Sequence, residues 1–323
     1  MLRLDTDRTS RADPQFRADV LNGLLARPRA IPARWFYDHR GSQLFEEITQ
    51  LPEYYPTRTE TALLERICPD VARAFGQGGA VVEFGSGSSA KTPILLAEVR
   101  PAAYVPIDIS GEFLRESAAA LARAFPEIAV APVEGDFTRP LKLPEGIGGL
   151  PRLGFFPGST IGNMTPAAAV DLLRAMRQSL GTGASLLIGI DRIKDPAVLE
   201  RAYDDAQGVT AAFNLNLIER INRELDGTIP IDAFRHVARW SDELARIEMH
   251  LEATRDIAFE VAGRSFTMQA GETIHTENSH KYGARDARLL LAAGGWTVTR
   301  EWTDQADQFA LYLAEAREQH PAP

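Results

Sequence analysis

The sequence predicts an α/β protein: a Rossmann-like, doubly wound, mostly parallel sheet, with a second α+β unit assembled from the N-terminus and a late insertion. Three observations predict it. Between residues 57 and 191, short apolar runs rich in β-branched residues alternate with helical segments, as strands covered on both faces by crossover helices must. The first of those runs, "AVVEF", leads into "GSGSS", glycines at a strand-to-helix turn where sheets of this kind take up ligands. After Asp191 the rhythm breaks, first into a long helical stretch and then into strict period-two alternation.

Taken in order, residues 14–30 and 42–50 read as short helices, the second with Ser42 as its N-cap. Residues 57–75 form a longer helix. Strands then follow at "AVVEF", "AYVPIDIS", "AVAPVEGDF", "LGFFPGST" and "ASLLIGID", with helices at "FLRESAAALARAF" and "AAAVDLLRAMRQSL". Residues 195–225 read as one or two long helices. In "RIEMHLEATRDIAFEVAGRSFTMQAGE", Ile247, Met249 and Leu251 share one face and Arg246, Glu248 and His250 the other, which is the language of antiparallel hairpins, and "AGR" is a turn. The chain ends in a helix stopped at Gly294-Gly295 and two strands that rejoin the first sheet. The expected division is 1–60 and 196–283 for the second unit, and 61–195 and 284–323 for the Rossmann-like one. The start and the "HPAP" tail are expected to fray.

Composition sets limits on function. The 323 residues are 45% hydrophobic and 24% charged, as in ordinary soluble proteins. A formal charge of −9 and a pI near 5.3 disfavour nucleic acid as a partner, because phosphate binding needs clustered Lys and Arg. No apolar run approaches the roughly 20 residues that span a bilayer, and the polar start lacks a signal-peptide core, so the expectation is a cytoplasmic protein without membrane contact. A lone Cys68 excludes an intrachain disulfide and a cysteine-based zinc cluster, and its helical setting makes it a core residue.

The sharpest motif is Glu83-Phe84-Gly85-Ser86-Gly87-Ser88-Ser89. Gly85-x-Gly87-x-x-Ala90 fits a dinucleotide fingerprint, so by itself it admits a nicotinamide cofactor, S-adenosylmethionine or a plain structural turn. Asp108 ends the second strand, where a carboxylate can take both ribose hydroxyls, and Asp136 ends the third beside Phe137, which can face an adenine. Taken singly, each acid reads as a solvated loop residue. Lys91 opens the next helix, positioned either for a ligand carboxylate or for solvent. In "FFPGSTIGNMTP", Gly158 and Gly162 turn the backbone, and Asn163 offers a donor and an acceptor, or serves only as a turn residue. "LPEYYPTRTE" sets Tyr54 and Tyr55 between prolines, one to face a pocket and one to pack.

Together these features resemble the class I methyltransferase layout. More specifically, "WFYDHRGSQLFEEITQLPEYYPTRTE", "VEFGSGSSAKT", "GSTIGNMTP", "RAYDDAQGVTAAFN", "RIEMHL" and "TENSHKY" resemble the histidine-specific N-α-methyltransferases of ergothioneine biosynthesis, from about residue 16 to the C-terminus. The resemblance implies S-adenosylmethionine as cofactor and three successive methyl transfers to the α-amine of free L-histidine, giving hercynine. By motif, it implies cofactor contacts at Gly85, Lys91, Asp108, Asp136 and Phe137. Amino-acid backbone contacts fall on Asn163 and Tyr203, with Gly158 nearby, and imidazole readers on Tyr54, Glu277 and Ser279. Tyr37 matches a tyrosine beside the methylated nitrogen, Met249 one lining the side-chain pocket, and Asn278, His280 and Tyr282 occupy variable positions. A monomer is expected.

One stretch decides between chemistries. "ETIHTENSHKY" (272–282) holds two histidines and two glutamates, yet "HTENSH" is not a zincin spacing, so no metal is expected. No G-x-S-x-G elbow supports a hydrolase triad. On an extended segment Glu277 and Ser279 share a face, offering an acceptor and a donor/acceptor suited to the two ring nitrogens of imidazole. In the mechanism this implies, Asn163 and Tyr203 clamp the amino acid, Tyr37 accepts a proton directly or through water, and Tyr37 with Phe45 faces the trimethylated cation. The rivals are the same fold acting on tryptophan or a histidine derivative, a nicotinamide-dependent dehydrogenase, and a non-catalytic amino-acid-binding module.

Overall fold

The structure is a computed structural model that describes residues 13–87 and 90–316. Ser88 and Ser89 of the glycine motif, the first twelve residues and the "HPAP" tail lie outside the described residues. The chain folds into two compact units: the larger holds Tyr55–Asp195, Asp242–Arg246 and the chain from Ser279 on, the smaller the chain up to Tyr54, Pro196–Ser241 and Ile247–Asn278. The first boundary falls at Tyr54/Tyr55 rather than at residue 60, since the helix Tyr55–Phe75 runs unbroken across that position.

The larger unit is built on a sheet ordered Trp296–Thr303, Phe309–Ala316, Ser185–Asp191, Arg152–Phe156, Ala80–Phe84, Ala103–Asp108, Ala129–Val130, with Val133–Glu134 also paired to Ala103–Asp108. The inner strands run parallel, and Phe309–Ala316 runs antiparallel to both its neighbours. The expected third strand is two short pieces, because Pro132 between them has no N–H to give to a ladder. Alternate side chains feed two cores. Val82, Phe84, Val105, Ile107, Leu186 and Ile188 pack with the helices Pro166–Leu180 and Ala284–Ala293. Val81, Tyr104, Leu153, Phe155, Leu187 and Leu311 pack with Tyr55–Phe75 and Thr92–Val99. Each such side chain contributes about 1.5–3 kcal/mol of hydrophobic free energy, which is why all five residues of Ala80–Phe84 are buried. Cys68 is a wholly buried member of the second core, and burial pushes its thiol up to about 12.

The smaller unit starts with the helix Pro14–Leu25, shorter than the expected 14–30 because the chain then enters the strand Arg29–Ala30. The next helix, His39–Thr49, corrects the expected cap: Asp38, not Ser42, is the N-cap, its Oδ1 accepting the Gly41 N–H at 2.8 Å. Gly41 is required there, since a Cβ would lie 1.8 Å from the Phe36 carbonyl oxygen. The predicted helical stretch 195–225 is two helices, Pro196–Tyr203 and Val209–Glu224, and the Asp205 carboxylate caps the second through the Val209 and Thr210 N–H groups at 3.1 and 2.7 Å. A four-stranded sheet is ordered Arg29–Ala30, Thr273–His280, Arg246–Ala253, Phe234–Ser241. The predicted hairpin pairs Ile257–Val261 with Arg264–Met268, and Ala262 and Gly263 both take positive φ in its two-residue turn, as a type I′ turn requires. Among the described residues, no helix is long and apolar enough to cross a membrane.

Candidate active site

In the larger unit, Ala80–Phe84 lies between Arg152–Phe156 and Ala103–Asp108, so the strand order reverses there and a crevice opens at the carboxyl ends. Gly85 and Gly87 leave that end with φ of +70° and +48°, a conformation that favours glycine. A Cβ on Gly85 would meet the Phe137 ring at 3.3 Å, so two predicted residues adjoin. Asp108 supports the loop: Oδ2 accepts the Gly87 N–H at 3.0 Å and Oδ1 the Ser110 N–H at 2.9 Å. A carboxylate has about four lone-pair sites, so acceptor capacity remains for a pair of hydroxyls. Asp136 holds Thr138 through its N–H at 2.9 Å and its hydroxyl at 2.6 Å, fixing the turn that carries Phe137. Behind the loop, Glu83 accepts hydrogen bonds from the hydroxyls of Thr92 and Tyr104, and burial raises its carboxyl to about 7. A backbone-lined turn, a carboxylate and an aromatic ring on adjacent strand ends suit a nucleoside.

Lys91 is paired rather than solvated. Its ammonium contacts Glu60, whose side chain is fully buried and which also accepts the Gly158 N–H at 2.8 and 3.0 Å. Glu60 thus links the start of the Lys91 helix to the loop after the fourth strand. Sequence reasoning passed it over, because a glutamate in "TRTETALLERI" reads as part of a solvated helix face. Asn163 ends the short 3-10 turn Thr160–Asn163 and is half-buried. Its neighbour Gly162 packs on the His280 backbone, where a Cβ would be 2.7 Å from the carbonyl oxygen, so the Asn163 turn lies beside the strand end that bears Ser279. Ser279 accepts from Lys281 Nζ at 2.8 Å, and Lys281 pairs with Asp191 at 2.8 Å. Tyr55 and Lys194 complete this buried group, each 2.6 Å from an Asp191 oxygen. Burial pushes the Asp191 carboxyl up, but Lys281 and Lys194 outweigh it and hold it below the usual aspartate range, while burial pulls Lys194 down to about 8.

In the smaller unit an aromatic chain joins the other predicted residues. Tyr37 packs edge-on against Phe45 and Phe213 at 5.6 and 5.7 Å, Phe45 against Tyr54 at 6.3 Å, and Tyr54 against Tyr203 at 6.1 Å. Of the paired tyrosines, Tyr54 therefore joins the ring cluster and Tyr55 the buried ion group. Phe213, Asn214 and His236 were missed by sequence reasoning, although "TAAFN" contains the first two. Asn214 donates to His236 Nδ1 at 2.8 Å, which assigns the proton to Nε2, and Nε2 donates to the Tyr203 carbonyl at 2.8 Å. Burial keeps His236 neutral below its ordinary range. Asn214 also accepts from Thr276, whose hydroxyl lies 3.0 Å from the carbonyl of buried Met249, so Met249 is tied to the strand that bears Glu277.

Among the described residues, Glu248, His250 and His275 bring potential ligand atoms within 4.8 Å of one another. The His250 and His275 rings are stacked, with centroids 4.8 Å apart and planes at 18°. Within the group His250 Nε2 pairs with Glu248 at 3.0 Å and His275 Nε2 with the Glu277 carbonyl at 2.9 Å, the buried His250 Nδ1 has no hydrogen-bond partner, and burial lowers His250 to about 4.

A doubly wound sheet with a glycine turn at its switch point and an antiparallel C-terminal hairpin on its edge is a Rossmann-like fold, and with the family match over residues 16–316 it is that of an S-adenosylmethionine-dependent methyltransferase. Residues 16–316 match the family described as "Histidine-specific methyltransferase, SAM-dependent". The chain belongs to that family. It is 43% identical over 308 residues to "Histidine N-alpha-methyltransferase" of Mycolicibacterium smegmatis, covering 92% of this chain and 94% of the relative. The protein of the same description from Mycobacterium tuberculosis is 43% identical over 305 residues, with the same coverage. "Ergothioneine biosynthesis protein 1" of Neurospora crassa is 30% identical over 88% of this chain, which spans 33% of that longer protein.

Proposed function

We propose that the enzyme trimethylates the α-amino group of free L-histidine, yielding hercynine for ergothioneine biosynthesis. The observation that carries this reading is family membership over residues 16–316 together with Glu277 and Ser279 two residues apart on the strand Thr273–His280. An acceptor and a hydroxyl at that spacing suit an imidazole, and Glu277 disfavours the wholly apolar ring face that a tryptophan pocket needs.

When bound, S-adenosylmethionine supplies an electrophilic methyl group on a sulfonium. The residues present fit it: Gly85 gives close backbone approach, Asp108 receives ribose hydroxyls, Phe137 covers the base, Asp136 holds the turn of Phe137, and Lys91 meets the methionine carboxylate. Glu60 keeps Lys91 oriented toward the Gly158 loop. Asn163 and Tyr203 hold the amino acid's amine and carboxylate beside Gly158, Tyr54 and Met249 line the side-chain pocket, and Glu277 and Ser279 take the ring. Tyr37 Oη accepts a hydrogen bond from the amine, and the amine proton leaves to water, either directly or by a relay in which Tyr37 gives up its own hydroxyl proton, restoring the lone pair that each methyl transfer consumes. The trimethylated nitrogen has no lone pair, so the reaction stops there. Tyr37 and Phe45 face the fixed cation through their ring quadrupoles, an interaction worth about 0.5–2 kcal/mol.

Calorimetry on Glu277→Ala tests the pocket. Loss of a charge-assisted hydrogen bond worth roughly 1.5–3 kcal/mol weakens histidine binding by about 10- to 150-fold and leaves S-adenosylmethionine affinity within about twofold. Equal losses for both ligands would place Glu277 outside the histidine pocket.

A further inference from the structure

A buried polar chain in the smaller unit takes no part in the proposed chemistry, yet it joins three elements that carry the amino-acid site. Its members are His236 on the strand Phe234–Ser241, Asn214 on the helix Val209–Glu224 and Thr276 on the strand Thr273–His280. His236 Nε2 lies 2.8 Å from the carbonyl oxygen of Tyr203, the last residue of the helix Pro196–Tyr203. Carbonyls in the last turn of a helix have no partner within it, so the ring acts there as a side-chain cap. A carbonyl oxygen only accepts, so the one proton of the neutral ring is on Nε2 and Nδ1 is bare. Asn214 Nδ2 gives one N–H to Nδ1 at 2.8 Å and the other to the His250 carbonyl at 3.1 Å. Asn214 Oδ1 is left to accept from the Thr276 hydroxyl at 2.8 Å. Donor and acceptor are thus assigned at each link, and Asn214 and Thr276 are both buried.

The two ends of the chain fall at functional elements. One is the backbone of Tyr203, whose ring packs against Tyr54 at 6.1 Å. The other lies between two strands, where Thr276 directly precedes Glu277 and its hydroxyl is 3.0 Å from the Met249 carbonyl. We propose that His236 is a positioning residue for the amino-acid site. With Asn214 and Thr276 it holds the Tyr203 helix end at a fixed distance from the strands that bear Met249 and Glu277. The clamp on the amino-acid backbone and the pocket for its side chain then stay matched to one length of ligand. The inference rests on the reading of Tyr203, Met249 and Glu277 as contacts of the amino acid.

Steady-state kinetics of the wild type and three variants test it. His236→Asn keeps an acceptor for Asn214 but is too short to reach the Tyr203 carbonyl, whereas His236→Gln carries an amide N–H that reaches it. Thr276→Val keeps the shape of the side chain and cuts the other end of the chain. Loss of a link worth one hydrogen bond is expected to raise KM for histidine roughly tenfold in His236→Asn and Thr276→Val. KM for S-adenosylmethionine should stay within about twofold of the wild type, and His236→Gln should recover most of the loss. A histidine that serves stability alone would lower the unfolding temperature of His236→Asn and leave KM for histidine unmoved, a result that overturns the proposal. Equal losses in His236→Asn and His236→Gln, or a parallel rise in KM for both substrates, overturn it as well. If neither His236 variant folds, Thr276→Val decides, since an unchanged KM for histidine there shows that the chain does not set the site. A wild type that fails to methylate histidine would instead overturn the functional reading on which the inference stands.

Discussion

At the scale of single residues, position relative to a strand end decided what could be read from sequence. Gly85, Asp108 and Phe137 each follow a strand within a few residues, so a correct strand assignment placed them at one crevice edge, where the glycine turn, its supporting carboxylate and the ring now adjoin. Glu60 and Lys281 could not be read this way. Each sits where an exposed charge is expected, and the partner that buries it lies 31 or 90 residues away in the chain. Glu83 offers a check on this buried chemistry. Burial raises its carboxyl to about 7 against 4.5 unfolded, so between those values the folded state binds the extra proton. Its stabilisation is therefore full below pH 4.5 and lost as pH rises through 7, amounting to about 3 kcal/mol. His250, kept neutral by burial down to about 4, has the opposite slope between pH 4 and 6.5, so the wild type alone conceals the effect. Denaturant unfolding of wild type and Glu83→Gln across pH 4.5–7 isolates it: the stability of the wild type relative to the variant should decline as pH rises, and a constant difference would mean that Glu83 does not hold the proton.

Among elements, the central strands and the Ala262–Gly263 turn follow from period and turn chemistry alone, whereas the errors lie where tertiary partners choose between local options. Asp38 and Ser42 can both start a helix, and Asp38 wins because its carboxylate also receives Asn216 at 2.8 Å and Arg223 at 2.6 Å, from a helix far along the chain. Burial works against that carboxyl, but the Gly41 N–H, Arg223 and Asn216 hold it below the usual range. Asp38→Ala should cost about 1–2 kcal/mol in urea unfolding, the cost of a lost N-cap, and Ser42→Ala at most a few tenths; the reverse order would restore the cap to Ser42. The strand Phe234–Ser241 was missed for another reason. Its residues are mostly half-buried with no alternation, so the period-two signal is absent.

For the whole molecule, the chain divides into two compact units, and the residues proposed for the site fall in both. Gly85, Lys91, Asp108, Asp136, Phe137, Gly158, Asn163 and Ser279 belong to the larger unit, and Tyr37, Tyr54, Tyr203, Met249 and Glu277 to the smaller. Periodicity separated a doubly wound sheet from an inserted segment, yet the short piece Asp242–Arg246 that returns to the larger unit leaves no trace in composition. Chemistry followed the same divide. The glycine turn alone admits a nicotinamide as readily as S-adenosylmethionine, and only the ordered motifs of the family, matched over residues 16–316, decide between them. The acceptor is the central claim. Mass spectrometry of the purified enzyme incubated with S-adenosylmethionine and an equimolar mixture of the twenty free amino acids tests it most directly. Trimethylated histidine as the sole accumulating product is the expected result, and methylation of tryptophan or any other amino acid in preference to histidine would contradict it.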